Sequence, residues 1–282
     1  MIDMKAKKRL RRSMLFLNCQ KPALIRDPYV YRPDSIMLDL EDAVAENQKD
    51  AVRINGLDTP HWQEDVRVCV AGGADVIRIP KCTCAADVQT VEEAVYRAER
   101  EFHREEGSTL LMAALESCMG IINALEICRA SERLIGIALS GGDYTKDLQT
   151  HITFTGVELN GARQQMIIAA RAAGVQCFDT VFTNLDDMET FEKETELIHL
   201  MGFDGKSLVN PRQIPITHKV FTPTQKEITF AEKVVAEIDS KKSQGIGVFT
   251  VDGKMIDIAF YDGAKRVLML AKAAGIYGGE LV

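Results

Sequence analysis

Carboxylate side chains follow two neighbouring apolar runs of the 282-residue chain, where they could bind a metal ion. Glu116 ends one run and Asp143 follows the next. Because Mg2+ prefers carboxylate oxygens, the pair predicts a magnesium site whose remaining ligands are water and substrate. The alternative interpretation is that each residue caps the helix that follows it.

Two cations follow other apolar runs. Arg53 has the planar guanidinium that binds a substrate carboxylate in a bidentate manner. The alternative for Arg53 is an ion pair with Glu41 or Asp42. A Schiff-base role for Lys81 would require desolvation, and the acids near Lys81 favour its charged form.

Nitrogen and sulfur ligands are poorly placed for a metal. The five histidines fall in predicted helices or loops, so a histidine-ligated zinc is not expected. Cys82 and Cys84 resemble half of a zinc site, but no second cysteine pair has a suitable spacing. Two small residues at the start of a helix explain them better. Other polar residues that follow apolar runs are Asp39, Asn55, Arg78, Asp179, Lys206 and Asn210.

The elements that must position these residues alternate along the chain. Strand-like runs cover 14–17, 35–40, 51–55, 75–80, 109–114, 134–139, 177–182 and 206–209. Amphipathic stretches such as 85–104 separate most of them, with apolar residues at helical spacing. Eight such repeats predict a closed (β/α)8 TIM barrel, which carries its catalytic residues at the carboxyl ends of the strands. An open doubly wound sheet would normally show a glycine-rich turn after its first strand, which residues 18–21 lack.

One connection in this pattern is too short. Only nine residues, 42–50, lie between Glu41 and Ala51, whereas a parallel crossover needs a dozen or more. Either the link is abbreviated or a helix-bearing piece of chain is missing, and we favour the second.

The alternation stops after residue 222. The predicted barrel domain is therefore 1–222, and 223–282 is a carboxyl-terminal arm. A helix over 224–241 precedes a hairpin at Asp252-Gly253, and a second helix covers 260–274. We expect this arm to be too small for a core of its own and to pack on the barrel or on a neighbouring subunit.

Composition limits the class of protein. A net charge of −7 argues against a nucleic-acid binder, and no apolar run is long enough to span a membrane. Seven scattered cysteines indicate reduced thiols and a cytoplasmic location. The basic segment 1–12 is either a solvated arm or a patch for phosphates or an acidic partner.

Several ordered motifs resemble the citrate lyase β-subunit family, within the citrate lyase β/malyl-CoA lyase (HpcH/HpaI aldolase-like) superfamily. They are 11–16 (RRSMLF), 37–44 (MLDLEDAV), 52–58 (VRINGLD), 78–81 (RIPK), 114–117 (ALES), 205–213 (GKSLVNPRQ) and 252–257 (DGKMID). The resemblance extends over nearly the whole chain. It implies a TIM barrel in which Glu116 and Asp143 bind Mg2+ and Arg53 holds the oxaloacetate moiety. Glu41 and Asp42 would order the waters of the metal.

The same resemblance assigns residues outside the metal site. Arg11 or Arg12 would lie near the phosphates of the thioester carrier, and Asp257 would be an acid/base inserted into the site of a neighbouring subunit. Two features depart from the family. Gly142 stands where a glutamate is usual, and the helix expected between Asp50 and Arg53 is absent.

The implied reaction is cleavage of a citryl thioester, on acyl carrier protein or CoA, to oxaloacetate and an acetyl thioester. The implied partners are the citrate lyase α and acyl-carrier subunits and further copies of this chain. Alternatives within the superfamily are a malyl-CoA or citramalyl-CoA lyase. A catalytically weak subunit that docks the carrier is the alternative from another class.

Overall fold

Eight parallel strands form a closed barrel in chain order, as predicted. The computed structural model describes residues 9–19, 22–40, 51–242 and 247–279. The barrel strands are β1 Ser13–Asn18, β2 Ser35–Asp39, β3 Ala51–Arg53, β4 Val76–Ile79, β5 Leu110–Leu115, β6 Leu134–Leu139, β7 Gln176–Asp179 and β8 Gly205–Leu208. All eight predicted strands are present, with ends that differ by a few residues.

Helices follow the strands in the described part of the chain. They are α1 Pro22–Ile25, α2 Trp62–Gly72, α3 Ala85–Glu101, α4 Cys118–Ile122, α5 Ala124–Cys128, α6 Gly141–Asp147, α7 Asn160–Ala173, α8 Met188–Met201 and α9 Gln213–Phe221. The apolar spacing of α3 has the expected result, since Val88, Val91 and Val95 are fully buried.

The barrel interior is packed by alternate residues of the strands. Met14, Met37, Val76 and Met112 belong to one buried cluster with Phe178. Because successive strand residues point to opposite faces, the residue two positions further along a strand points into the same interior. At the carboxyl ends this rule brings polar and aromatic side chains inward, among them Phe16, Asp39, Arg78 and Glu116.

Barrel closure depends on a glycine at the seam between the last and first strands. Strand β8 pairs with β1 through Ser13 and Lys206. A Cβ on Gly205 would meet the carbonyl oxygen of Arg11 and would lie 2.7 Å from that of Arg12. Only glycine permits this close approach of the two backbones.

The short connection identified in the sequence persists in the structure. Strands β2 and β3 pair directly, with Asp39 opposite Arg53, and eleven residues separate Asp39 from Ala51. Residues 41–50, which include Glu41 and Asp42, lie outside the described residues.

The chain divides into two compact units, residues 1–218 and 219–282. The second unit contains α10 Gln225–Lys242, the hairpin of β9 Val248–Val251 and β10 Lys254–Asp257, and α11 Ala259–Ala273, as predicted. The expectation that this arm lacks a core is wrong. Ile228, Val234, Ile256 and Leu268 are almost fully buried in a cluster formed within the unit, because the hairpin and two amphipathic helices turn their apolar faces toward one another. Packing of the arm on the barrel or on a neighbouring subunit stays a prediction.

None of the helices in the described ranges is long and apolar enough to cross a membrane.

Candidate active site

A cavity of about 410 Å3 opens at the carboxyl end of the barrel. Side chains from several strands and from the start of α6 border it, as expected for the active-site end of a TIM barrel. The lining includes Phe16, Asp39, Arg53, Arg78, Asp143 and Ser207.

Arg53 forms a bidentate ion pair inside this cavity. Its Nε donates to Asp39 Oδ1 at 2.7 Å, and its Nη2 donates to Asp39 Oδ2 at 2.6 Å. Both side chains are about 15% exposed, so the pair is shielded but reachable. The sequence predicted an ion pair with Glu41 or Asp42 as one alternative. In the described residues the acid is Asp39, which register places opposite Arg53.

Arg78 is the deepest cation of the cavity, at 2% exposure. Its Nη1 donates to Ser207 Oγ at 3.5 Å and its Nη2 donates to Ser140 Oγ at 3.3 Å. The guanidinium carbons of Arg53 and Arg78 lie 5.6 and 5.1 Å from the centre of the Phe16 ring. The two serine contacts hold the Arg78 side chain across the barrel interior. Cation–π attraction to the Phe16 ring stabilises the guanidinium groups of both Arg53 and Arg78.

Glu116 is 3% exposed just beyond strand β5, and its Oε1 accepts a hydrogen bond from Ser140 Oγ at 3.0 Å. The capping alternative for Glu116 is wrong. Ser117 caps α4 instead, since its Oγ accepts the Gly120 N–H at 3.1 Å.

Asp143 lies in the first turn of α6, exposed on the wall of the cavity. Ser140 occupies the N-cap position of that helix, so Asp143 is not its cap. A buried hydrogen bond at 2.8 Å from the Gly141 N–H to Thr180 Oγ1 fixes the start of α6 against strand β7.

The donor chemistry of Glu116 and Asp143 fits Mg2+. Among the described residues no group of three or more His, Cys, Asp or Glu side chains could hold a metal ion. Mg2+ commonly keeps several waters and takes only one or two carboxylates plus substrate oxygens. A buried glutamate that is hydrogen-bonded to Ser140 of the cavity lining therefore fits this ion, with Asp143 as the second carboxylate.

Asp179 and Lys206, which the sequence placed after apolar runs, belong to a buried network of ion pairs outside the cavity. Arg163 donates twice to Asp179 at 2.9 Å, and Lys206 Nζ lies 2.6 Å from both Asp179 and Glu194. Burial raises the pKa of Asp179, but the charges of Lys206 and Arg163 outweigh it and hold that pKa below its usual value. Asp179 and Lys206 alternate with the inward-facing residues, so they stabilise the fold between strands and helices.

Arg11 and Arg12 lie at the opposite end of the barrel, because they precede strand β1. Arg12 forms a bidentate ion pair with Asp34, with two contacts of 2.8 Å. Arg11 Nη1 donates to Gln176 Oε1 at 2.7 Å, and burial followed by repulsion from Arg9 lowers the pKa of Arg11 to about 10. That Arg11 or Arg12 lies near the phosphates of the thioester carrier stays a prediction.

Asp257 ends strand β10 in the second unit. It is partly buried, and its Oδ1 accepts the Ala259 N–H at 2.8 Å at the start of α11. This contact gives Asp257 a local structural role. Its action in a neighbouring subunit stays a prediction.

Lys81 and the cysteine pair take the structural roles that the sequence favoured. Lys81 is exposed, so it lacks the desolvation that a Schiff-base lysine requires. Cys84 is the N-cap residue of α3, and Asp87 accepts the Cys84 N–H at 3.2 Å.

Gly142 leaves open space beside the cavity. A Cβ at this position would meet no atom within 4 Å. A side-chain Cβ therefore fits at this position without moving the backbone.

Asp39 and Arg78 line the same cavity, and this joint role is not predicted from the sequence above. The signal was available in the two-residue alternation, because Met37 and Val76 are core residues two positions earlier. The pairing register of the strands cannot be read from the sequence. In the structure this register shows that Asp39, Arg53 and Arg78 are neighbours.

A family model described as HpcH/HpaI aldolase/citrate lyase matches residues 12–53 and 50–211. The chain belongs to this family. A citrate lyase subunit beta from Leuconostoc mesenteroides subsp. cremoris is 47% identical over 292 residues, covering 96% of this chain and 97% of the relative. A (3S)-malyl-CoA thioesterase from Cereibacter sphaeroides is 31% identical, covering 95% and 97%. The chain is thus an HpcH/HpaI-family lyase of the citrate lyase type.

Solved structures agree on the fold. The protein CitE from Mycobacterium tuberculosis, in complex with magnesium, acetoacetate and coenzyme A, superposes with a TM-score of 0.73 at 24% identity. The match covers 94% of this chain and 98% of the other.

The comparisons also locate the short connection. The family match is split at residues 50–53, where β3 begins. The 292-residue alignment with the Leuconostoc subunit is longer than this chain of 282 residues, so the relative has residues that this chain lacks. Both findings agree with a crossover segment missing before β3.

Proposed function

We propose that this lyase cleaves a citryl thioester to oxaloacetate and an acetyl thioester with the aid of Mg2+. The observation that supports it is one cavity, at the carboxyl end of the barrel, that combines an acidic side and a basic side. Asp143 on the lining supplies the acidic side together with the buried Glu116, which is hydrogen-bonded to Ser140 of the lining, and Arg53 and Arg78 supply the basic side.

Each residue has a chemical task in the proposal. Glu116 and Asp143 would hold Mg2+, which when bound supplies Lewis acidity and lowers the pKa of the substrate hydroxyl. Arg53 binds the carboxylate on the hydroxyl-bearing carbon and orients it. Asp39 fixes the plane of the Arg53 guanidinium through two hydrogen bonds.

Proton transfer and water ordering complete the proposal. Removing the hydroxyl proton lets the carbon–carbon bond break, and the electron pair of that bond passes to the acetyl thioester as its enolate. Asp257 of a neighbouring subunit takes the hydroxyl proton on its carboxylate and then donates it to the enolate, which gives the acetyl thioester. We assign the ordering of the metal's waters to Glu41 and Asp42.

The proposed assembly follows from the substrate. The thioester is carried by an acyl carrier protein or by CoA, and the partners are citrate lyase α and acyl-carrier subunits. An active site completed by Asp257 in trans requires a homo-oligomer. We also propose a cytoplasmic location, because all seven cysteines are free thiols.

The test is cleavage of citryl-CoA by purified protein in the presence of Mg2+. Release of oxaloacetate is followed by coupling to malate dehydrogenase and loss of NADH absorbance. We expect turnover that disappears with EDTA and returns with added Mg2+. Absence of oxaloacetate in the Mg2+-loaded sample would contradict the proposal.

A second candidate function is cleavage of malyl-CoA or citramalyl-CoA, favoured by the 31% identity to the malyl-CoA thioesterase. An assay with these thioesters and a coupling dehydrogenase that reduces glyoxylate or pyruvate measures the release of those keto acids. A chain that only docks the carrier, the alternative suggested by Gly142, would release no keto acid from any of the three.

A further inference from the structure

Two arginines are direct neighbours on the inner wall of the barrel. Register places Asp39 beside Arg53 and Arg53 beside Arg78 on strands β2, β3 and β4. Paired strands lie about 5 Å apart, so both guanidinium groups enter the same cavity. Like charges directly opposite one another on paired strands are destabilising, and a bound anion offsets this repulsion.

The two cations differ in depth. Arg53 is 15% exposed and ion-paired with Asp39, whereas Arg78 is 2% exposed and reaches Ser207 on β8 and Ser140 at the start of α6. Arg53 therefore borders the cavity nearer its mouth, and Arg78 forms part of its floor.

Different groups of a citryl thioester would lie at these two depths. Its hydroxyl-bearing carbon carries a carboxylate, a carboxymethyl arm and the thioester arm. The carrier is too large for a cavity of about 410 Å3, so the thioester arm must point out through the mouth. If the hydroxyl and its adjacent carboxylate lie at the Mg2+ that Glu116 and Asp143 would hold, the carboxymethyl arm is the group that points to the floor.

We propose that Arg78 binds the carboxylate of this carboxymethyl arm and so selects citryl thioesters over malyl and citramalyl thioesters. The inference rests on the proposed function and extends it to substrate choice. A malyl thioester has hydrogen in place of the carboxymethyl group and a citramalyl thioester has a methyl group, so neither offers Arg78 an anion. Arg53, in contrast, binds the carboxylate that all three substrates share.

The test compares two keto acids that differ by this carboxylate. Oxaloacetate has two carboxylates and pyruvate has one, and each is titrated into the Mg2+-loaded protein by calorimetry. We expect Arg78→Met to weaken oxaloacetate binding by about 10- to 100-fold, the loss of one charge-assisted hydrogen-bonded pair. Pyruvate binding should change by less than about twofold, because that ligand does not reach Arg78.

Arg53→Met is the matched control and should weaken both keto acids. Equal weakening of oxaloacetate and pyruvate by Arg78→Met, or weakening of neither, would overturn the proposal. If Arg78→Met does not fold, Arg78→Gln decides, since its amide can still bond Ser140 or Ser207 without the charge. A wild-type protein that binds both keto acids but cleaves no citryl-CoA would refute the proposed function and leave the Arg78 comparison intact.

Discussion

At the scale of single residues, Glu116 and Asp143 define the metal-binding prediction. Glu116→Gln and Asp143→Asn each keep the side-chain shape and remove one negative charge. We expect each to weaken Mg2+ binding by at least about tenfold, because ligand charge largely sets the affinity of an oxygen site. The measurement is the Mg2+ concentration that gives half-maximal activity.

Glu189→Gln is the control for this pair. Glu189 is an exposed carboxylate on α8 that pairs with Lys193 at 2.6 Å. It should leave the Mg2+ requirement unchanged. An unchanged requirement in Glu116→Gln or Asp143→Asn would remove that residue from the metal site.

His218 predicts a pH dependence of stability. Its Nε2 lies 2.8 Å from Ser13 Oγ, and it is 24% exposed near Arg12 and Asp34. Burial, followed by the charge of Arg12, lowers the pKa of His218 below its ordinary 6.5, although Asp34 opposes this. His218 is therefore protonated at a lower pH in the folded state than in the unfolded state. Stability from this site is present above about pH 6.5 and is lost as the pH falls through the folded-state pKa.

His218→Gln should consequently flatten the fall in melting temperature between pH 7.5 and 5.5. Thermal unfolding of both proteins across this range measures the difference. Equal slopes for wild type and variant would show that the histidine carries none of the acid sensitivity.

Sequence reasoning identified residue types at this scale but not which way they point. Glu116, Asp143 and Arg53 follow apolar runs, and so do Asp179 and Lys206. A one-residue difference in strand phase sends Arg53 and Glu116 toward the barrel interior and the second set between strands and helices, whereas the position of Asp143 is set by helix α6.

At the scale of elements, the seam between β8 and β1 gives a prediction of stability. Gly205→Ala would place a methyl group against the carbonyl oxygens of Arg11 and Arg12. We expect a loss of about 1–3 kcal/mol in the free energy of unfolding, the usual cost of overpacking. Urea unfolding measures it.

Gly161→Ala is the matched control, since Gly161 is an exposed glycine of α7 with no atom within 4 Å of a Cβ. Alanine there should be neutral or should stabilise by about 0.5–1 kcal/mol. Equal effects of the two substitutions would contradict a steric requirement at the seam.

Element positions were largely predictable because their signals are local. Alternation, helical periodicity and the Asp252-Gly253 turn depend on near neighbours in sequence, and all correspond to observed elements. The core of the second unit was missed because its members, such as Ile228 and Leu268, meet only after the hairpin brings α10 and α11 together.

At the scale of the whole molecule, action of Asp257 in trans predicts complementation between two inactive chains. Asp257→Asn lacks the acid, and Glu116→Gln lacks a metal ligand. In a co-expressed mixed dimer, one site combines an intact barrel with an intact Asp257. With random pairing in equal amounts we expect about a quarter of wild-type turnover. The citryl-CoA assay on the co-purified species measures it, and failure of recovery would place Asp257 outside the neighbouring site.

The seam between β1 and β8 also has a consequence for biosynthesis. The residues that pair there, Ser13 and Lys206, are about 190 positions apart. A nascent chain therefore emerges from the ribosome with its first strand unpaired on one side until almost the entire barrel has been translated. Such an open edge invites intermolecular strand addition. The yield of folded protein should accordingly depend more on the rate of elongation and on chaperone capacity than on the stability of the folded state.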